Sequence, residues 1–433
     1  MVTNFSTASL LTTNNNIMRT FLPLIVISVF YLTSCGNKAA NSTPAENTET
    51  SATTSTGTLP PVETASANTS IKPAFAGQTR VAGAKTTTAV ETKMLTKALT
   101  KPWGITTLPD GRLLITEKEG QMRIVTTAGD VGPAIAGLPA VNPAGQGGLL
   151  GLCLDPNFTA NRMIYWTFAE KTSAGNLTAV AKGKLSANDS KIENAVVIYR
   201  ATPAYDGNLH YGSRIIFDKN GNLYVSTGER SDIETRPQAQ SLQSALGKVI
   251  RITTDGKPVA NNPFQNRNDA RPEFFSYGHR NPQGLALHPA TGDIWLSEMG
   301  PKGGDELNLV KPGKNYGWPI ITYGEEYSGA TIGGGIGQQS GMEQPVYYWD
   351  PVISCSGMTF YSGTAIPEWN NNLFIGGLSS RHIIRLIIEN NKVIGEERLL
   401  EDEGERFRDV AQGKDGALYA ITDSGRLYRL GKK

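Results

Sequence analysis

The chain has 433 residues, of which 39% are hydrophobic and only 18% charged, and 47 are glycine. Globular chains average about 25% charged residues and about 7% glycine, so low charge with excess glycine suits a turn-rich all-β protein. A formal net charge of +2 argues against a nucleic-acid binder, three cysteines cannot build a disulfide framework or a cysteine-based zinc site, and no apolar run reaches the roughly 20 residues of an interior membrane span.

The N-terminus reads as an address. Arg19 precedes the apolar run Phe21–Leu32, and Thr33-Ser34-Cys35-Gly36 supplies small residues where a secretory signal would be cleaved. Leu32-Thr33-Ser34-Cys35 resembles the bacterial lipobox, which implies export and lipid attachment at Cys35; the alternative is an ordinary signal with an incidental cysteine. Gly36 in the next position points to the outer membrane if the cell has one. Residues 36–85 are rich in Thr, Ser, Ala and Asn with one aromatic, Phe75, and are expected to form a disordered tether between lipid and domain. Residues 86–433 form the globular part.

That part repeats itself. A short apolar strand, a turn rich in Pro, Asp, Asn or Gly, and a second strand recur at Trp103–Glu117, Leu149–Phe168, Gly212–Thr227, Gln283–Ser297, Gly357–Gly376 and Asp409–Thr422. Spacings of roughly 40–70 residues with β composition predict a six-bladed β-propeller with about four antiparallel strands per blade; a β-sandwich with coincidental turns is the alternative. In a blade the innermost strand leaves one rim and the next returns to it. Residues just before each copy and just after its second strand therefore gather on that rim: Gln146, His210, Glu229, Arg280, Asn281, Glu298, Arg406 and Arg408. A channel mouth of this kind is where a propeller carries function.

Within these segments stand Gly145-Gln146-Gly147-Gly148, His210-Tyr211-Gly212-Ser213-Arg214, Gly278-His279-Arg280-Asn281-Pro282, Ser297-Glu298-Met299-Gly300-Pro301, Asp305-Glu306, Asn315-Tyr316-Gly317-Trp318 and Arg406-Phe407-Arg408-Asp409. In this order they resemble the soluble quinoprotein sugar dehydrogenases, glucose and aldose, from about residue 95 to 430. The resemblance implies pyrroloquinoline quinone (PQQ), Ca2+ and oxidation of an aldose sugar at C1 to the lactone. Electrons would leave to an unidentified acceptor outside the cytoplasm, with the membrane reached only through the lipid anchor.

By the same resemblance His210 is the general base and Glu229 orients it, a task that a neutral imidazole beside a carboxylate suits. Arg280 polarises the reacting carbonyl, Asn281 adds a hydrogen bond, and Arg406 and Arg408 hold cofactor carboxylates. Gln146 contacts the sugar. The carbonyls of Gly300 and Pro301 hold one calcium, and Glu306 with the Tyr316 carbonyl a second, as oxygen ligands suit a hard cation. Other readings of the residues are a Glu229–Arg230 rim pair, a structural His210, and arginines paired with Glu401, Asp402, Glu403 and Glu405. One position departs from the pattern: Ser379 stands where a lysine for a PQQ carboxylate is expected, and Arg381 nearby can point elsewhere by strand alternation.

A non-catalytic propeller that binds a protein or glycan at the cell surface is the alternative function, as in the Hedgehog-interacting protein. A calcium-dependent lactonase would need a side-chain carboxylate and Asn cluster that the sequence lacks. Cys153 and Cys355 fall on innermost strands of blades that face each other across the ring, too far for the roughly 7 Å Cα separation of a disulfide, so both are expected to be free thiols.

Overall fold

The computed structural model describes residues 59–433. Cys35, the export signal and residues 36–58 of the expected tether lie outside the described residues. Six antiparallel sheets follow one another as the blades of a propeller. Their innermost strands, which neighbour one another in a closed ring, are Pro102–Thr107, Leu149–Leu154, Ile215–Phe217, Pro282–Leu287, Cys355–Phe360 and Phe407–Gln412, for blades 1 to 6. Each belongs to one of the six sequence repeats.

Five blades have four strands and blade 1 has three, its outer edge extended by a bridge between Val125 and Val131. The inner strand of blade 3 is short because Gly212 and Ser213 take positive φ (63° and 77°), so the chain only becomes extended at Ile215. Val90–Thr96 pairs antiparallel with Leu427–Lys432 as the outermost strand of blade 6, which ties the two ends of the propeller sequence together.

The core lies between blades. Leu114, Leu149 and Trp166 fill the space between blades 1 and 2; Tyr165, Ile215 and Phe274 that between 2 and 3; Phe275, Leu285 and Leu296 that between 3 and 4. Trp295, Trp349 and Ile375 join 4 to 5, Trp369, Phe374 and Tyr428 join 5 to 6, and Ile115 with Tyr419 joins 6 to 1. Every blade thus buries both faces. That is why the second strands, such as Leu223–Thr227 and Leu418–Thr422, are buried at every residue instead of alternating. Hairpins turn where glycine accepts positive φ, as at Gly221 (78°) after Asp218-Lys219-Asn220.

The expected tether is corrected at its C-terminal end. Residues 59–85 pack on the outer edges of blades 4 and 5. The Tyr348 N–H donates to the Gln78 carbonyl (2.9 Å), Glu396 N–H to Ala82 O (3.0 Å) and Ala84 N–H to Glu396 O (2.7 Å). Arg398 pairs with Glu63 at 2.7 Å. Composition argued against order here because apolar residues are few. The segment is held instead by polar satisfaction: fully buried Gln78, and Asn68 and Thr69 donating to buried Asp350. Cys153 and Cys355 are both free.

Candidate active site

One rim brings Gln146, His210, Arg280, Gly300, Pro301, Arg406 and Arg408 around a cavity of about 250 Å3. A larger concavity of about 870 Å3 opens at the opposite channel mouth among Thr107, Phe217, Phe360 and Gln412. Its charged lining is the buried, mutually neutralised pair Arg214–Asp409 (2.6 Å), Asp415, held by Arg429 (2.7 Å), and Lys414, with no histidine among them, so the smaller cavity is the candidate for chemistry.

His210 enters from the loop before the inner strand of blade 3, and Glu229 from just after the second strand. They meet with Nδ1 to Oε2 at 2.8 Å. The same Oε2 accepts the Ser231 N–H at 2.7 Å. Burial works against the Glu229 carboxylate, yet the His210 ring and Arg280 hold its pKa below the usual value. As an ionised carboxylate can only accept, Nδ1 carries the proton and Nε2 keeps its lone pair. Burial is also the largest influence on His210 and, outweighing Glu229, lowers its pKa, so the ring is neutral at pH 7.

His210 sits at φ 45°, with Arg230 and Ser231 at 76° and 77°. Non-glycine residues in this region cost of order 1–3 kcal/mol each, and such strain concentrates at functional sites. Arg230 does not pair with Glu229. Its guanidinium lies over Tyr211 (4.1 Å) and donates to Asn176 and to the Gly207 carbonyl.

Gln146 is locked by the His210 N–H, which donates to its Oε1 at 2.9 Å, leaving its amide N–H2 as the donor available to a ligand. Arg280 lies over Trp318 (5.1 Å), and its Nη1 donates to Met299 O (3.0 Å) and Gly300 O (2.7 Å) while its buried Nε has no partner. Arg406 and Arg408 converge on Asp423, at 2.9 and 2.7 Å, rather than on the acidic run upstream, and Arg408 also reaches Gln283 Oε1 (3.2 Å). Burial opposes the Asp423 charge, but Arg408 and Arg406 keep its pKa low.

Of the residues expected to hold the cofactor, Asn281 is not on the cavity wall. Asn281 is fully buried; its Oδ1 accepts the Gly212 N–H (3.1 Å), bracing the His210 loop. Its neighbour Arg280 takes the cavity side, and the loop that leads into the inner strand at Pro282 turns Asn281 toward the His210 loop. Ser379 is exposed and its Oγ donates to Val352 O (3.3 Å), while Arg381 donates to Gly404 O; neither supplies a cation to the cavity.

Glu306 and Tyr316 line a small space of about 10 Å3 with Glu298 and Gly300, next to the main cavity and with room for about one water-sized species. Glu298 and Glu306 face each other in register, and Asn308 Nδ2 donates to both at 3.1 Å. Burial first, and then the Glu298 charge, push the Glu306 pKa well up. Asn308 Oδ1 is buried without a partner. Paired carboxylates beside an orphaned amide oxygen are a donor set that suits a hard cation. Among the described residues no three acidic, His or Cys side chains cluster, so any calcium here would depend on backbone carbonyls as well. At Gly300 the carbonyl already accepts from Arg280, and a metal would use its second lone pair.

Sequence reasoning passed over Asp423, although it follows a second strand just as Glu229 does. It also passed over Gln283, Ser354, Val352 and Leu378 on the cavity wall.

The family described as Glucose / Sorbosone dehydrogenase matches residues 99–429. Over 346 residues the chain is 40% identical to the aldose sugar dehydrogenase YliI of Escherichia coli (strain K12), covering 79% of this chain and 92% of that protein. The crystal structure of the soluble aldose sugar dehydrogenase from Escherichia coli in the apo-form superposes with a TM-score of 0.76 at 39% identity, covering 80% of this chain and all of that one. The PQQ-bound form of the aldose sugar dehydrogenase from Streptomyces coelicolor gives 0.66 at 29% identity, covering 80% and 99%. With the family matched over nearly the whole propeller, the chain belongs to the Glucose / Sorbosone dehydrogenase family of sugar dehydrogenases.

Proposed function

We propose that this protein is a PQQ- and calcium-dependent aldose dehydrogenase that oxidises the sugar at C1 to the lactone. The observation that carries the reading is the buried His210–Glu229 pair opening on a cavity that also holds three arginines. The donor set fits the cofactor: a planar tricarboxylate matches planar multi-donor guanidinium groups, and the Arg280 Nε is an unpartnered buried donor. When bound, the ortho-quinone supplies the two-electron acceptor.

The chain's own residues do the rest. Nε2 of neutral His210 accepts the proton of the anomeric hydroxyl. Glu229 fixes the tautomer and stabilises the imidazolium that results. Gln146 offers its amide to the sugar oxygen. Arg280 stabilises negative charge developing at the acceptor, and Arg406 and Arg408, held by Asp423, bind carboxylates. Gly300 and Pro301 would ligate the cofactor calcium through their carbonyls, and Glu306 with the Tyr316 carbonyl a structural one.

We further propose export, lipid attachment at Cys35 and transfer of electrons to an extracytoplasmic carrier; a lipid mass on the N-terminal fragment that disappears in Cys35→Ser tests the anchor. Ser379 is the one observation that favours a non-catalytic binding propeller, and the intact His210–Glu229 pair weighs against it. Reconstitution with PQQ and Ca2+, followed by dye reduction over a panel of aldoses, tests the function. Absence of both PQQ binding and turnover across the panel would overturn it.

A further inference from the structure

The segment 59–85 lies before residue 99, where the family match begins, yet it holds Asp350 and Tyr323, which pack against the loop that carries Gly300 and Pro301. Asp350 is buried, and the hydrogen bonds to its carboxylate come from the segment: Asn68 N and Nδ2 at 2.8 Å each, Thr69 N at 3.0 Å and Thr69 Oγ1 at 3.3 Å. Arg80 adds a bond to the Asp350 carbonyl (2.6 Å). Gln78 is fully buried with its amide spent on four groups. Its Oε1 accepts from Ala74 N (2.7 Å) and Tyr323 Oη (3.1 Å), and its Nε2 donates to Pro345 O (2.9 Å) and Gln344 Oε1 (3.4 Å). Thr69 Oγ1 also lies 3.0 Å from the Tyr323 carbonyl.

Tyr323 is the next link. Its ring stacks on Tyr348 at 4.0 Å. Its backbone, with that of Gly324, lies so close to Gly304 that a Cβ there would meet it at 2.8 Å. Gly303 is as tightly placed against the Asp350 carboxylate (3.0 Å), and a Cβ on Gly324 would meet Gly303 O at 2.2 Å and Pro301 Cγ at 2.7 Å. Gly304 O and Gly303 O in turn crowd Gly300, and Gly304 N–H donates to Trp349 O (2.9 Å). Glycine at 303 and 304 (φ 92° and 72°) lets these backbones touch, and the same freedom leaves the loop floppy unless something external holds it.

We propose that the strap formed by residues 59–85 is a positioning element for the Gly300–Pro301 carbonyls, with Gln78 and Thr69 clamping Tyr323 and Asp350 from behind. This rests on the reading of those carbonyls as calcium ligands. The strap does for a backbone site what outer hydrogen bonds do for side-chain ligands: it fixes where the oxygens point. The rest of the strap, through Glu63 and Ala82–Ala84, covers the otherwise open edge of blade 5 and does not touch this loop.

The test uses the full chain. Gln78→Met keeps side-chain volume and removes all four bonds, and Thr69→Val removes the hydroxyl. Glu368→Gln, which weakens the attachment of Thr87 and Thr88 on blade 5, is the control for general loosening. Calcium titration of the apo-protein by calorimetry should show affinity reduced about tenfold or more in the first two variants, the range for loss of an outer-shell partner, and unchanged in the control. Hydrogen exchange of the amides at 299–304, read without metal, should accelerate only in the first two. Equal calcium affinity and equal exchange in all variants would overturn the proposal. If the wild type bound no calcium, the ligand assignment would fall, and unchanged exchange in Gln78→Met would still overturn the clamp on its own.

Discussion

Replacing Glu229 with Gln isolates what the carboxylate does for His210. The amide is the same size, and its oxygen can take the place of Oε2, accepting from His210 Nδ1 and Ser231 N. What changes is charge. In the wild type the imidazolium formed on proton uptake sits against a buried carboxylate 2.8 Å away; in the variant it sits against a neutral amide. A hydrogen bond to a charged group is worth about 1.5–3 kcal/mol against about 1 for a neutral one. With stabilisation realised mainly as the proton arrives, the barrier rises by about 0.5–2 kcal/mol, roughly 2- to 30-fold in kcat. The pH profile gives an independent reading. Burial already holds the His210 pKa below 6.5, and Glu229 is the main opposing influence. Removing that charge lowers the pKa further, so the acid limb of kcat/KM moves to lower pH while the plateau falls. The amide nitrogen would occupy the place of Oε1, which is buried without a partner, so a modest stability loss of about 1–3 kcal/mol is also expected. Turnover measured against pH at saturating PQQ decides it: an unchanged plateau, or an acid limb that stays put or moves up, would refute the pair as the proton-handling unit.

Other outcomes follow from the same geometry. His210→Ala should bind PQQ like the wild type in a spectral titration and turn over about 10²–10⁴-fold more slowly, whereas Arg408→Ala should chiefly weaken the cofactor. Ser379→Lys, adjacent to the cavity residue Leu378, should tighten PQQ up to about fivefold, the worth of a largely exposed ion pair, in the same titration. In the metal-free protein, Glu306→Gln should raise the melting temperature by removing a carboxyl that burial first and then Glu298 disfavour, and should reduce the further rise on adding calcium. Buried His382 has its pKa lowered to about 4, by burial first and then Arg398. The unfolded chain therefore binds the extra proton between about pH 6.5 and 4, and about 3 kcal/mol of stability is lost as pH falls through that window; His382→Phe should flatten this part of a denaturation-versus-pH series.

The parts of the molecule that could be read from sequence are those whose cause is local. Hairpins with Asp and Gly turns and largely apolar second strands mark each blade, so each of the six inner strands overlaps one of the six repeats. The His210–Glu229 pairing was legible because one hairpin returns the chain to the rim it left. Asn281 follows the cavity-facing Arg280 in the loop before an inner strand, where no periodicity tells which way a side chain turns. The strap was illegible because its order depends on partners far along the chain, Asn68 with Asp350 and Glu63 with Arg398, and neither composition nor periodicity carries that information. The edge of blade 1, left at three strands, has no sequence signal either.

The rim also explains why one scaffold position recurs as the functional one. In four blades an acidic residue stands at or just past the end of the second strand: Glu117, Glu229, Glu298 and Asp423. Each accepts donors from the segment that leads into the inner strand of its own blade. Glu117 takes the Thr100 N–H (2.7 Å), and Glu298 takes His279 Nδ1 (2.9 Å) and the Arg280 N–H (2.7 Å). Glu229 takes the His210 ring, and Asp423 takes Arg406 and Arg408. Geometry alone accounts for this: antiparallel pairing returns the second strand beside the entry to the first, and an acid there satisfies donors that no ladder reaches. Where the donor is a backbone N–H, as in blade 1, the acid is architectural. Where it is an imidazole with a free Nε2 or a guanidinium with donors to spare, the same acid presents a reactive group to the channel. Charge reversal at these four positions therefore has unequal consequences. Glu117→Lys would be felt in folding alone, and Glu229→Lys or Asp423→Lys in the chemistry and cofactor binding of the cavity as well.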